Sequence, residues 1–382
     1  MDRLSKHIPL HQLNPPERIL MGPGPSNVHP RVLAAMSIPT IGHLDPSFLE
    51  IMDETMQLLR VLFRTDNRLT FPVSGTGSAA MEAALCNLIE PGDPVVVGIN
   101  GVFGGRMRDI SERCGAVVYP VEAPWGRPID PDDLIREAMK RKAKLVALVH
   151  AETSTGVSQP VEEIGSALRS TDTLLVVDTV TSLGGMPVEV DRWGIDVCYS
   201  GAQKCLSCPP GISPITFNEK ALDAISRRKE KVSSWYFDVT MIEKYLGSER
   251  LYHHTAPINM VYAINQAVDL VLEEGLEARF KRHREVHEML VSGLGEIAGL
   301  DMAVAPGDRL PMLNSVRVGG GIDEKALRER LLRSYNIEIG GGLGALKGET
   351  VRIGIMGHSC TRNNVLLLLS ALREIVGGRG KG

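Results

Sequence analysis

Two short runs constrain the fold of this chain more than anything else in it. Lys144–His150 (KLVALVH) and Thr173–Asp178 (TLLVVD) are almost wholly apolar and too short for helices of ordinary length. A strand with one wet face alternates apolar and polar residues. A strand covered on both faces need not, so these two belong to a mostly parallel sheet sandwiched between helices. The surrounding pattern agrees. Strands are predicted at Leu69–Val73, Pro94–Ile99, Ala116–Val121, Asp196–Ser200 and Ile212–Phe217. Helices are predicted at Ser78–Ile89, Gly105–Cys114 and Pro131–Arg141, the last with Asp130 as N-cap and Pro131 at its first position. Such alternation spells an α/β domain with a doubly wound sheet.

Beyond about residue 260 the pattern changes. A long helical tract, Asn259–Ile297, breaks near Gly275. Strands at Asn314–Val318, Ile337–Ile339 and Thr350–Ile355 then mix with helices at Glu324–Ser334 and Arg362–Val376, which predicts a smaller α+β domain. The expected organisation is an N-terminal arm and loop over 1–30, a large domain over 31–260 and a small domain over 261–382. With 382 residues, 43% of them hydrophobic, the chain can bury two cores. A net charge of -4 and the lack of a basic stripe predict neither nucleic acid nor an anionic membrane as a partner. No apolar stretch approaches the roughly 18 residues of a membrane span. Neither Met1–Leu20 nor the closing Gly-Lys-Gly reads as a targeting signal. Six cysteines without a scaffold spacing predict free thiols and a cytoplasmic chain. Cys205-x-x-Cys208 lacks the second pair that a zinc site needs, and packing is preferred to a redox role.

Open α/β sheets bind ligands beyond the carboxyl ends of their strands. Asp178 closes one predicted strand. Lys204 follows the next, in the small-residue turn Ser200-Gly201-Ala202-Gln203-Lys204-Cys205. A strand-end acid and a lone lysine suit pyridoxal 5'-phosphate (PLP): the acid keeps the pyridine nitrogen protonated, and the amine holds the cofactor as a Schiff base and shuttles a proton. Alone, either residue is better read as structural. Ser74-Gly75-Thr76-Gly77-Ser78 opens a helix and suits a phosphate, but it is neither a P-loop nor a dinucleotide fingerprint. Phe103, in a glycine-flanked loop, can stack on a planar ring or cap the core. Thr153 adds a hydroxyl after the Lys144–His150 strand. Arg352 alternates with Val351 and Ile353, with Gly354 leaving space beside it. A bidentate grip on a substrate carboxylate and a structural salt bridge are its two readings. That the phosphate turn, Phe103, Thr153, Asp178 and Lys204 share one sheet edge is the strongest argument from the residues themselves.

Nearly the whole chain resembles the class V, fold-type I PLP aminotransferases, in particular the alanine–glyoxylate and serine–pyruvate enzymes. Further markers are Gly22-Pro23-Gly24-Pro25-Ser26-Asn27, Glu152-Thr153-Ser154-Thr155-Gly156, Ser182-Leu183-Gly184-Gly185 and Tyr252-His253-His254-Thr255. The resemblance implies that Lys204 carries the cofactor, that Asp178 binds the pyridine nitrogen, and that Thr153 and Val180 border the ring. Gly75, Thr76, Gly77 and Gln203 hold the phosphate, reached also by Tyr252 and Thr255 from the partner of a homodimer with shared active sites. Arg352, near the Gly24 loop, takes the substrate α-carboxylate. Relatives often have Trp where Phe103 stands and can have Ser at 153. The implied reaction is ping-pong transfer of an amino group from alanine or serine to glyoxylate or pyruvate. Pro124-Trp125-Gly126 and Gln203-Lys204-Cys205-Leu206 lean toward a ureidoglycine–glyoxylate aminotransferase, whereas Tyr252, an Asn in that subfamily, favours the alanine or serine reading. A cysteine desulfurase needs a loop cysteine, for which Cys360 is a poor match. A nicotinamide-dependent dehydrogenase lacks its fingerprint. His43 and Trp125 are candidates for the substrate end.

Overall fold

The computed structural model describes residues 13–377; the first residues of the expected arm and the Gly-Lys-Gly end lie outside them. The main sheet has seven strands, in the order Leu69–Ser74, Ile212–Phe217, Val197–Tyr199, Leu174–Asp178, Leu145–Val149, Pro94–Ile99 and Val117–Glu122. Only Ile212–Phe217 runs antiparallel to its neighbours. Leu145–Val149 and Leu174–Asp178 sit side by side at the centre and are buried throughout. Their lack of alternation is thereby explained: helices cover both faces.

The helix Pro46–Phe63 has no counterpart in the sequence reading. Asp45 caps it by accepting from the Ser47 amide at 2.9 Å, and it buries Phe48, Met52, Met56, Leu59 and Leu62. These positions recur at helical spacing and pack into the main core.

A second sheet, Leu300–Met302, Leu313–Val318, Thr350–Gly354 and Gly340–Gly341, is antiparallel. It shares a separate core with the helices Leu276–Gly295, Glu324–Tyr335 and Arg362–Gly377. Three local expectations change. Gly340–Gly341, expected as loop, is an edge strand paired with Arg352 and Val351. Phe103 lies inside a helix, because that helix starts at Val102 rather than Gly105. Gly354 does not make room for Arg352: a Cβ there would sit 1.9 Å from the Gly22 carbonyl oxygen, so the glycine admits the N-terminal loop.

Candidate active site

A cleft of about 510 Å³ opens at the carboxyl edge of the main sheet. Thr76, Gly77, Phe103, Thr153, Asp178, Val180, Gln203 and Lys204 all line it. The strand Leu174–Asp178 delivers Asp178, in register with Tyr199 on the next strand. The turn after Tyr199 delivers Gln203 and Lys204.

Lys204 is 9% exposed, and its amine donates to the carbonyl of Pro23. Burial, aided by the Arg352 charge, lowers it to about 8. Asp178 is buried, and its Oδ1 accepts from the Val180 amide at 2.8 Å. Burial dominates that hydrogen bond and raises its carboxyl to about 7. Such a carboxyl gains from a cationic partner.

The helix Gly77–Leu88 points its N-terminus at the cleft. Thr76 is its N-cap but makes no side-chain cap bond. Gly75 (φ +135°) turns the chain, and a Cβ on it would lie 2.5 Å from Ala79 Cβ. A Cβ on Gly77 would come within 2.8 Å of Val180 Cγ2. Gln203 Oε1 is buried without a hydrogen-bond partner.

Arg352 is 8% exposed. Its Nε donates to the Gly341 carbonyl at 2.8 Å and its Nη1 to the Thr153 carbonyl at 3.2 Å. No ion pair among the described residues includes it, so the structural salt bridge is absent there. Gly24 lies against Lys204: a Cβ on it would be 2.6 Å from Nζ.

Tyr252 and Thr255 stand apart from this cleft, both exposed, Tyr252 at 61%. Tyr252 lies against His43, with ring centroids 5.1 Å apart. Trp125 packs on Gly344. Neither His43 nor Trp125 lines the cleft. Cys205 and Cys208 are buried free thiols, raised by burial to about 11 and about 12, which fits packing rather than redox work.

Two polar residues, Arg106 in the cleft wall and Glu152 behind it, have no role assigned from the sequence. Arg106 lies over the Phe103 ring at 4.9 Å and donates to Ser78 Oγ at 2.8 Å. Its spacing from Phe103 carries a signal only once the helix start at Val102 is known. Glu152 is buried, and its Oε2 accepts from the amides of Phe103 (3.1 Å) and Gly104 (3.4 Å). Its Oε1 accepts from the Ser154 amide and hydroxyl. It thus caps the helix that carries Phe103, a long-range contact with no local pattern.

Fold and cleft together are those of the fold-type I transferases. The chain belongs to the class-V aminotransferase family: the description Aminotransferase class-V matches residues 20–368. It is 44% identical to the (S)-ureidoglycine–glyoxylate transaminase of Bacillus subtilis, over 96% of this chain and 92% of that one. It is 42% identical to the alanine–glyoxylate aminotransferase of Drosophila melanogaster, over 94% and 93%. Among solved structures, an alanine–glyoxylate aminotransferase from Nostoc superposes with a TM-score of 0.95 at 47% identity, covering 97% of this chain and 98% of that one. The chain is an aminotransferase.

Proposed function

We propose that this aminotransferase uses PLP to move an amino group from a small amino acid, alanine or serine, to glyoxylate or pyruvate. The observation that carries this reading is a buried amine and a buried carboxyl lining one cleft, with a guanidinium that has no acidic partner among the described ion pairs reaching the carbonyl of Thr153 in the same cleft wall. The residues fit the cofactor. Gln203 Oε1 lacks a partner, the Gly77 position leaves no room for a Cβ, and the Asp178 carboxyl suits a protonated ring nitrogen. Gly75, Thr76, Gly77 and Gln203 hold the phosphate at the helix N-terminus. Thr153, Val180 and Phe103 border the ring.

When bound, the cofactor supplies the electron sink for breaking the donor Cα–H bond. Lys204, lowered to about 8, is partly neutral near physiological pH and takes the proton from the donor Cα. Arg352 binds the α-carboxylate and orients that Cα toward Lys204. The second substrate, a keto acid, uses the same carboxylate grip. The exposure of Tyr252 and Thr255, together with that of Trp235 (59%) nearby, supports a homodimer in which the partner presents both residues to this cleft. The free thiols are in keeping with a cytoplasmic chain; no helix among the described residues is long and apolar enough to cross a membrane.

A second reading, ureidoglycine as donor, draws on the 44% identical relative and on Trp125. The test is a half-reaction. PLP-loaded enzyme is mixed in turn with L-alanine, L-serine, L-aspartate and L-cysteine without a keto acid. Loss of the visible band with alanine or serine, and its return with glyoxylate, is expected. A band unmoved by all four favours the ureidoglycine reading. No band after PLP is supplied overturns the cofactor assignment, and Lys204→Ala is expected to abolish turnover.

A further inference from the structure

Behind the Lys204 turn lies a partly buried charged cluster that the transfer reaction itself does not use. Gly275 (φ +82°) divides the helices Ile258–Glu274 and Leu276–Gly295 and turns Glu274 back toward Arg279 and Arg282. Glu274 Oε2 accepts from Arg279 Nη1 at 2.6 Å and from Arg282 Nη2 at 2.9 Å, and Oε1 accepts from Arg282 Nε at 2.6 Å. The two arginines hold Glu274 down to about 2.

The rest of each guanidinium fork goes to backbone carbonyls. Arg279 donates to Gly184 at 2.8 Å and to Cys205 at 2.6 Å. Cys205 directly follows Lys204, and Gly184 ends the segment whose Val180 and Thr181 line the cleft. Arg282 donates to Gly357 at 3.1 Å and to Cys360 at 2.6 Å. That loop directly follows the strand carrying Arg352. His283 adds to the joint. Its Nε2 accepts from the Gly357 amide at 3.1 Å, so its Nδ1 carries the hydrogen and donates to the Arg279 carbonyl at 2.8 Å. Ser207 Oγ accepts from the His358 amide at 2.8 Å.

One ion triad therefore touches the loops on both sides of the reacting centre. Two guanidinium groups share a single carboxylate, and Arg279 is buried. Removing that carboxylate leaves like charges facing each other beside a buried Arg279.

We propose that Glu274, Arg279 and Arg282 are positioning residues that lock the Lys204 turn to the loop behind Arg352, and so set the spacing between the amine and the carboxylate grip. The proposal rests on the roles of Lys204 and Arg352 argued above. Glu274→Gln keeps the shape and removes the charge. Single-turnover half-reactions of the PLP-loaded variant are compared for L-alanine and for ethylamine, which has the amine but no carboxylate. The Kd for propionate, an unreactive carboxylate, is measured by calorimetry. A 1 Å misplacement costs on the order of 100-fold, so alanine is expected to slow by roughly tenfold or more and ethylamine by less than about twofold. Propionate binding is expected to weaken in step with the alanine rate. Equal losses for both donors, or no loss with either, overturn the proposal. If Glu274→Gln yields no soluble loaded enzyme, Arg282→Lys, which keeps the charge but loses the fork, is read on the same three measurements. Failure of the wild type to take up PLP or react with alanine instead strikes the functional reading.

Discussion

Arg352 is a buried cation whose hydrogen bonds go to two backbone carbonyls, with no carboxylate of its own among the described residues. Among the described residues Glu152 is the only carboxylate whose charge reaches it enough to oppose desolvation, yet the amides of residues 103, 104 and 154 occupy that group. The cost of burial therefore favours an anion that comes and goes. A charge-assisted contact contributes about 1.5–3 kcal/mol. Replacing Arg352 with Ala is thus expected to raise KM for both amino and keto acid by roughly 10- to 100-fold, with a smaller change in kcat. Steady-state kinetics with each substrate varied in turn decides it. A kcat loss with unchanged KM would remove Arg352 from the carboxylate site. Lys204 shows the complementary logic: the same burial that makes a cation costly lowers it to about 8 and gives the site a usable base.

At the scale of the element, the helix Val102–Arg113 decides where the Phe103 ring lies. Its two adjacent glycines have opposite surroundings. A Cβ on Gly104 would be 2.6 Å from the Gly98 carbonyl oxygen and 2.9 Å from Ile99 Cα, whereas nothing lies within 4 Å of one on Gly105. Gly104→Ala must push the helix off the Pro94–Ile99 strand, so a lower unfolding midpoint and weaker PLP binding are expected. Gly105→Ala gains helix propensity of up to ~1 kcal/mol and is expected to raise the midpoint. Thermal unfolding of both variants, with PLP titration, checks the pair; similar shifts in both would contradict the close approach. The same helix marks the limit of what the residues disclose by themselves. Strands such as Pro94–Ile99 are legible to the residue, because a continuous apolar run between turns has few other meanings. The start at Val102 is not legible. It depends on Glu152, about fifty positions away, receiving the first helical amides. Asp178 and Lys204 could be placed at one edge from strand order alone. The hold of Gly341 on Arg352 and of Pro23 on Lys204 could not, since each crosses between segments that only the folded chain brings together.

Over the whole molecule, the buried titratable groups pull stability in opposite directions with pH. His150 and His283 are buried and lowered to about 4 and about 3, so the unfolded chain takes up protons that the folded one refuses. Their contribution is present above the ordinary histidine value and is lost as pH falls from about 6.5. Asp178 acts the other way. Raised to about 7, it holds a proton in the folded, cofactor-free protein that the unfolded chain releases. Its contribution is fully present below the ordinary aspartate value and is lost as pH rises through about 7. In the cofactor-free wild type Asp178 thus offsets one histidine as the solution is acidified. Asp178→Asn removes the offset and leaves the histidines in place. Between pH 6 and 4.5, the unfolding free energy of the variant is expected to fall more steeply than that of the wild type by about 1.4 kcal/mol per pH unit. Urea unfolding of both cofactor-free proteins across that window measures the difference directly. Parallel slopes would mean that Asp178 is already ionised before PLP arrives, and that the site meets the cofactor with its negative charge in place.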